Sequence, residues 1–107
     1  MAERQFKIKV GSLRRLKKDI EYYAEEHAAQ LVKIEKMRIE GKDEHDIRKQ
    51  EEVLVEVEAM QPDCQFRLNE AVSDISNYIE IHRDELKPLE AFIEAQELLA
   101  AIPLMQK

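Results

Sequence analysis

The sequence is poor in the residues that build turns, disulfides and aromatic cores. Its 107 residues include two glycines, three prolines, one cysteine (Cys64) and no tryptophan. A β-sandwich of this length would need many more turn residues, and a single thiol cannot form an internal disulfide. No apolar run reaches the roughly 18 to 20 residues that a membrane span requires, and "MAERQFKIKV" lacks the apolar core of a signal peptide. We therefore expect one helical domain in the cytoplasm.

Charged residues are abundant, at 37% of the chain, and acidic side chains exceed basic ones by 23 to 17. The net charge of -6 argues against general nucleic-acid binding and disfavours binding to an anionic membrane. The first twenty residues are the exception, because their cations outnumber their acids. The cations are Arg4, Lys7, Lys9, Arg14, Arg15, Lys17 and Lys18, against Glu3 and Asp19.

Core-type residues recur every three and four positions through the first third of the chain, as on one face of an amphipathic helix. With Leu13 at heptad position a, the a and d positions hold Leu13, Leu16, Ile20, Tyr23, His27, Gln30, Ile34 and Met37, and Ala24 and Leu31 at position e extend the same core stripe. This pattern predicts a first helix over about residues 5–40. Gly41 then supplies the left-handed conformation that often terminates a helix.

A second helix is predicted from Asp43, a favourable N-cap, to about residue 82. Its a and d positions are Ile47, Gln50, Leu54, Val57, Gln61, Cys64, Leu68, Ala71, Ile75, Tyr78 and His82. The register crosses Pro62 without a skip and places Pro62 on the outer face. Because a proline removes one helical hydrogen bond without necessarily ending the helix, we expect a helix kinked at Pro62.

The start of the first helix has two interpretations. Phe6, Ile8 and Val10 alternate as in a strand, but the sequence offers no second strand to pair with, so the alternative to a helix is a coil before Ser12, which could be an N-cap. A helix through Gly11 costs about 1 kcal/mol relative to alanine there. We favour the helix, because the long second helix needs a partner along its whole length.

A shorter third helix is predicted over about residues 87–102, with Pro88 in its first turn and Pro103 just past its end. Its apolar face would be Leu89, Phe92, Ile93, Leu99 and Ile102. The short connections favour antiparallel neighbours. The predicted fold is all-α: an elongated, coiled-coil-like, antiparallel three-helix bundle with two long helices and a shorter third, forming one domain over residues 1–107.

No catalytic, cofactor or metal site is indicated. His27, His45 and His82 lack the paired helical spacing of a metal site such as H-E-x-x-H. Cys64 has no identifiable base or orienting partner, and the sequence has no glycine-rich phosphate loop. We expect a protein that is not an enzyme and needs no cofactor.

The outer face offers candidate residues for binding another protein. The cations Lys7, Arg14, Arg15 and Lys18 would suit an acidic partner, although a solvated surface is the simpler interpretation of such a group. Apolar residues at outward heptad positions could add a protein-binding surface. These are Val32, Ile39, Val55 and Phe66, together with Pro62 at the expected bend.

Four motifs together resemble the tubulin-binding cofactor A family of tubulin-folding chaperones. They are "FKIKVGSLRRLKKDI" near the start, "KIEKMR" at 33–38, "DIRKQEEVL" at 46–54 and "PDCQFRLNEAVSDI" at 62–75. They occur in the same order over roughly residues 6–80. The third helix matches mainly in character, and Phe66 stands where the family often has a polar residue.

The resemblance implies a three-helix bundle that captures β-tubulin folding intermediates after their release from the cytosolic chaperonin. Such proteins pass β-tubulin to downstream tubulin-folding cofactors for assembly with α-tubulin, without nucleotide or metal. β-Tubulin is acidic, which would suit the basic amino-terminal face. The alternative is a non-enzymatic coiled-coil scaffold that self-associates, so we expect either a monomer or a weak homodimer.

Overall fold

The structure, a computed structural model, describes residues 2–105, with side chains described for residues 2–103. It contains three helices and, within that range, no strand: α1 (Ala2–Ile39), α2 (Glu44–Leu86) and α3 (Glu90–Met105). The predicted all-α class, with two long helices and a shorter third, is confirmed.

The connection between α1 and α2 follows from local capping. Gly41 has a φ of 69°, and its amide donates to the Arg38 carbonyl while the Lys42 amide donates to the Met37 carbonyl. This pair of bonds is the Schellman motif that closes a helix with a left-handed glycine. Asp43 then caps α2, because its carboxylate accepts a hydrogen bond from the His45 amide at 3.2 Å.

The first helix begins at Ala2 and runs through Gly11, so a coil before Ser12 is wrong. The helix also starts three residues earlier than the expected residue 5. Contacts with α2 account for this, because Phe6 is fully buried and the Tyr78 hydroxyl donates to the Ala2 carbonyl at 3.2 Å. These contacts hold a first turn that its own sequence would leave frayed.

The second helix passes through Pro62 and ends at Leu86 rather than at residue 82. The residue within α2 whose dihedral angles leave the helical region is His82, with φ -113° and ψ 22°. The expected helix end thus coincides with a break inside the observed helix. Leu86, beyond the break, is fully buried. The bend at Pro62 stays a prediction.

The third helix is displaced toward the C-terminus relative to its predicted range. Pro88 and Leu89 precede it, and Pro103 lies inside it rather than past its end. Its buried face contains Phe92, Ala95 and Ile102, whereas Ile93, predicted to be in the core, is 60% exposed.

The chain divides into two compact units. The terminal unit comprises residues 1–18 and 66–107, and the hairpin unit comprises residues 19–65. In the terminal unit, parts of all three helices share an apolar core. In the hairpin unit, parts of α1 and α2 pair with each other. Within the described residues, all the buried apolar side chains except Ile34 belong to the terminal unit.

Candidate protein-binding surfaces

In the described part of the chain, no three His, Cys, Asp or Glu residues are grouped so that they could hold a metal ion. Cys64 is half-buried, and the His82 ring packs against Tyr78 with a centroid distance of 4.4 Å. No helix within residues 2–105 is both long and apolar enough to cross a membrane.

Two of the four predicted binding cations form ion pairs inside the terminal unit. Lys7 pairs with Glu3 one turn earlier on α1, at 3.0 Å. Arg14 pairs with Glu94 of α3. Lys7 and Arg14 also line an open cleft of about 580 Å³, together with the apolar Val10 and Leu89. The positive charge at this cleft is therefore balanced by carboxylates of the same chain.

Lys9, on another side of α1, also forms an ion pair with a carboxylate of the same chain. Its ammonium lies 2.6 Å from the Asp74 carboxylate and 5.1 Å from the centre of the Tyr78 ring. Tyr78 in turn stacks on the buried Phe6 ring, with centroids 6.4 Å apart. This cation helps to join α1 to α2.

The other two predicted cations, Arg15 and Lys18, are exposed and have no ion-pair partner among the described residues. The same holds for Arg4, which the sequence-based set of binding residues omitted. The spacing could have identified Arg4, because Arg4 precedes Arg15 by eleven residues and so lies on the same face of a helix. Which cations would form ion pairs could not be inferred from the sequence.

The hairpin unit exposes an apolar patch on α1. Val32 and Ile39 are 68% and 77% exposed, and together with Leu31 they line an open groove of about 500 Å³. We call these three residues the α1 patch. Charged Glu35 and Lys36 complete the groove. Leu31 was not among the predicted binding residues, because its heptad position usually packs against a third helix. The hairpin unit contains parts of two helices, α1 and α2.

The remaining predicted residues are exposed, each at its own place on α2. Val55 and Pro62 lie in the hairpin unit, and Phe66 lies in the terminal unit. A large apolar side chain in water is common as an isolated feature. The structure therefore brings together Val32 with Ile39, and Lys7 with Arg14.

Polar contacts hold the two helices of the hairpin unit together. His27 Nε2 lies 3.4 Å from the Glu58 carboxylate, and Arg38 donates to Glu51 at 3.2 Å. Within α1, the Tyr22 hydroxyl hydrogen bonds to the Glu26 side chain. This bond, together with the charge of the Glu26 carboxylate, raises the pKa of Tyr22 above its ordinary value. Tyr22 thus keeps its hydroxyl proton at neutral pH.

Comparison with known families gives one match over most of the chain. The family described as "Tubulin binding cofactor A" matches residues 1–99. The Tubulin-specific chaperone A of Homo sapiens is 43% identical over 101 residues, which cover 94% of this chain and 93% of that protein. The Tubulin-specific chaperone A of Dictyostelium discoideum is 31% identical over 101 residues, which cover 94% and 89%.

Solved structures agree with the sequence comparison. The human tubulin chaperone cofactor A superimposes with a TM-score of 0.81 at 42% identity, covering 96% of this chain and 99% of that one. The tubulin folding cofactor A of Arabidopsis thaliana gives the same TM-score at 28% identity, covering 95% of each chain.

Proposed function

Because this chain belongs to the tubulin-binding cofactor A family, we propose that it is a tubulin-folding chaperone that captures β-tubulin folding intermediates. In this proposal it receives β-tubulin after release from the cytosolic chaperonin. It then passes β-tubulin to downstream cofactors for assembly with α-tubulin. The work is done by binding alone, in the cytoplasm and in association with the cytoskeleton.

The α1 patch is the observation that carries this proposal. A folding intermediate exposes apolar surface that its native state buries, and an exposed apolar surface on a chaperone shields it from aggregation. Val32 and Ile39 are among the most exposed large apolar side chains of the chain. Folding of the hairpin unit does not require these two side chains to be exposed to water. Binding to a client accounts for their exposure better than folding does.

The basic face of α1 would complement this apolar contact. β-Tubulin is acidic, and cations at the edge of an interface mainly accelerate association and select the partner. Arg15 and Lys18 are suited to this role because they are exposed and have no acidic partner among the described residues. Lys7 and Arg14 would have to exchange their carboxylate partners for those of a client.

The test is capture of β-tubulin released from chaperonin, with α-tubulin as the comparison. The double variant Val32→Ser/Ile39→Ser should lose capture while it keeps its helical circular dichroism and thermal midpoint, since both residues are exposed. Val53→Ser is a matched control, because Val53 is a partly exposed aliphatic residue of α2 in the same unit. Absence of β-tubulin binding by the unaltered protein would refute the proposal.

A homodimer is the second candidate, and the order of Glu35 and Lys36 in the groove of the α1 patch favours it. If two α1 helices packed antiparallel about a point between Glu35 and Lys36, Val32 of each copy would oppose Ile39 of the other. Glu35 would then oppose Lys36, as an isologous two-fold interface requires. One pair of short helical segments buries little area, so this dimer would be weak. Sedimentation at several concentrations distinguishes it from a monomer.

A further inference from the structure

One face of α1 in the terminal unit combines features that packing within the chain does not explain. Arg4, Ile8, Gly11, Arg15 and Lys18 follow one another at spacings of four, three, four and three residues. Such spacing places them on a single helix face. We call these five residues the α1 outer face. It lies opposite the stripe that buries Phe6, Val10 and Leu13.

Gly11 is the first unexplained feature. It lies in the interior of a 38-residue helix, where glycine is destabilising relative to alanine. Gly41, by contrast, has the positive φ that favours glycine. A Cβ atom placed on Gly11 would have nothing within 4 Å. Neither backbone conformation nor crowding inside the protein therefore accounts for a glycine at this position.

The charges are the second feature. Arg4, Arg15 and Lys18 are exposed and have no ion-pair partner among the described residues, although the chain as a whole has a net charge of -6. The cations on other sides of the same helix segment behave differently, since Lys9 and Arg14 are held by carboxylates of α2 and α3. Uncompensated positive charge is thus concentrated on the face that contains the glycine.

Ile8 is the third feature. It is 55% exposed and lies between Arg4 and Gly11 along this face. An aliphatic side chain beside a bare stretch of helix backbone forms a shallow, partly apolar surface, flanked by cations at both ends. This arrangement fits a partner that contributes one or two apolar side chains within an acidic segment.

We infer that the α1 outer face is the docking surface for an acidic segment of the protein partner, and that the partner's backbone approaches α1 most closely at Gly11. The acidic side chains pair with Arg4, Arg15 and Lys18, and an apolar side chain packs on Ile8. Glycine suits position 11 because a methyl group there would hold the partner away from the helix. The inference rests on the proposed function and identifies where on the chain an acidic segment of the β-tubulin client would be bound, in addition to the apolar contact proposed at the α1 patch.

Gly11→Ala tests the inference, because the substitution should stabilise the fold and yet weaken binding of the partner. Alanine should raise the thermal midpoint by about 4 °C, since it is the better helix former and meets no neighbour. It should also weaken binding of chaperonin-released β-tubulin by about tenfold, as expected when a close contact is lost. Gln5→Ala is the matched control, because Gln5 is exposed on the same helix segment but off this face.

A second variant tests the charge. Arg15→Glu/Lys18→Glu should weaken binding by at least about tenfold, mainly through slower association, and should reduce its dependence on salt. Arg48→Glu/Lys49→Glu is the matched control, since it makes the same change in net charge on exposed positions of the hairpin unit. Equal losses in the two double variants would mean that only net charge matters, and would overturn the assignment to this face.

The outcomes separate the two proposals. If the unaltered protein fails to bind β-tubulin, the proposed function is wrong. If it binds and Gly11→Ala binds equally well, the proposed function stands and the docking surface is wrong. A synthetic acidic peptide of about a dozen residues, titrated by NMR, should shift the amide signals of Gly11 and Arg15 first. Preferential shifts with anionic vesicles or RNA instead would overturn the assignment of a protein partner.

Discussion

The side-chain amide of Gln30 donates two hydrogen bonds to Gln50, one to its backbone carbonyl at 2.9 Å and one to its side-chain oxygen at 3.0 Å. Both residues occupy core-type heptad positions in the hairpin unit, where an apolar pair would normally pack. The contact between α1 and α2 there is consequently polar at its centre. Hydrogen bonds contribute little net stability in comparison with the burial of aliphatic side chains.

The first prediction concerns this glutamine pair. Gln30→Ala should destabilise the protein by about 1 kcal/mol, because Gln50 loses a partner in a partly buried position. Replacing both residues with leucine should stabilise it, since both polar side chains are removed and apolar surface is buried. Urea unfolding of Gln30→Leu, Gln50→Leu and the double-leucine variant measures the coupling free energy between the two positions. A double-leucine variant less stable than the unaltered protein would show that the hydrogen bonds outweigh aliphatic packing here.

The second prediction concerns local stability. Because Ile34 is the buried aliphatic residue of the hairpin unit and the other buried apolar residues lie in the terminal unit, the hairpin unit should open more often. Hydrogen exchange followed by mass spectrometry should show faster exchange for residues 25–58 than for helix interiors around Leu13 and Ile75. Equal protection in the two units would contradict this.

The third prediction compares two neighbouring residues of α3. Phe92 is 6% exposed and Ile93 is 60% exposed. Phe92→Ala should cost about 3 to 5 kcal/mol of unfolding free energy, because it leaves a cavity in the terminal core. Ile93→Ala should change that free energy by no more than about 0.5 kcal/mol. Chemical denaturation measures both, and similar losses would mean that Ile93 is packed in solution.

The fourth prediction compares the two glycines. Gly41→Ala should destabilise the protein by about 1 kcal/mol, because its φ of 69° strains any side chain with a Cβ atom. Gly11→Ala should have the opposite sign, as argued above. Thermal unfolding of the two variants side by side provides the measurement. A gain in stability from Gly41→Ala would indicate that the turn can rearrange without cost.

The fifth prediction concerns Pro62, which lies inside α2. Pro62→Ala should straighten the helix and raise unfolding stability by about 1 to 3 kcal/mol, because alanine restores a backbone donor and removes the ring's clash. Denaturant unfolding reports the stability, and residual dipolar couplings on both sides of residue 62 report the bend. The prediction fails if stability is unchanged. Capture of β-tubulin by the same variant would show whether the bend contributes to binding.

Much of the helical organisation depends on residues that are close in sequence, and it was therefore predictable. The Gly41 C-cap and the Asp43 N-cap each act within a few residues, and the structure contains both. The core periodicity of α1 and α2 also depends only on helix geometry. Leu13, Ile34, Leu68 and Ile75, all assigned to the core by their spacing, are buried.

The helix ends that were mispredicted depend on remote contacts. The start of α1 at Ala2 is held by Tyr78, 76 residues away. The break at His82 lies where its ring packs on Tyr78 and where the chain continues to the buried Leu86. Heptad counting assigns a residue to a face of its own helix, but it does not say what lies opposite. For this reason Leu31 and Ile93 were assigned to the core and are exposed.

The sequence by itself determined an all-helical chain with a cationic first helix and a family membership carried by four motifs. Tertiary structure decided which of these cations form ion pairs within the chain and which remain available to a partner. Arg14 and Arg15 are adjacent and chemically identical, yet the fold brings Glu94, 80 residues away, to Arg14 alone. An ion pair requires a specific partner at short range, and that partner is known only when α3 has packed against α1.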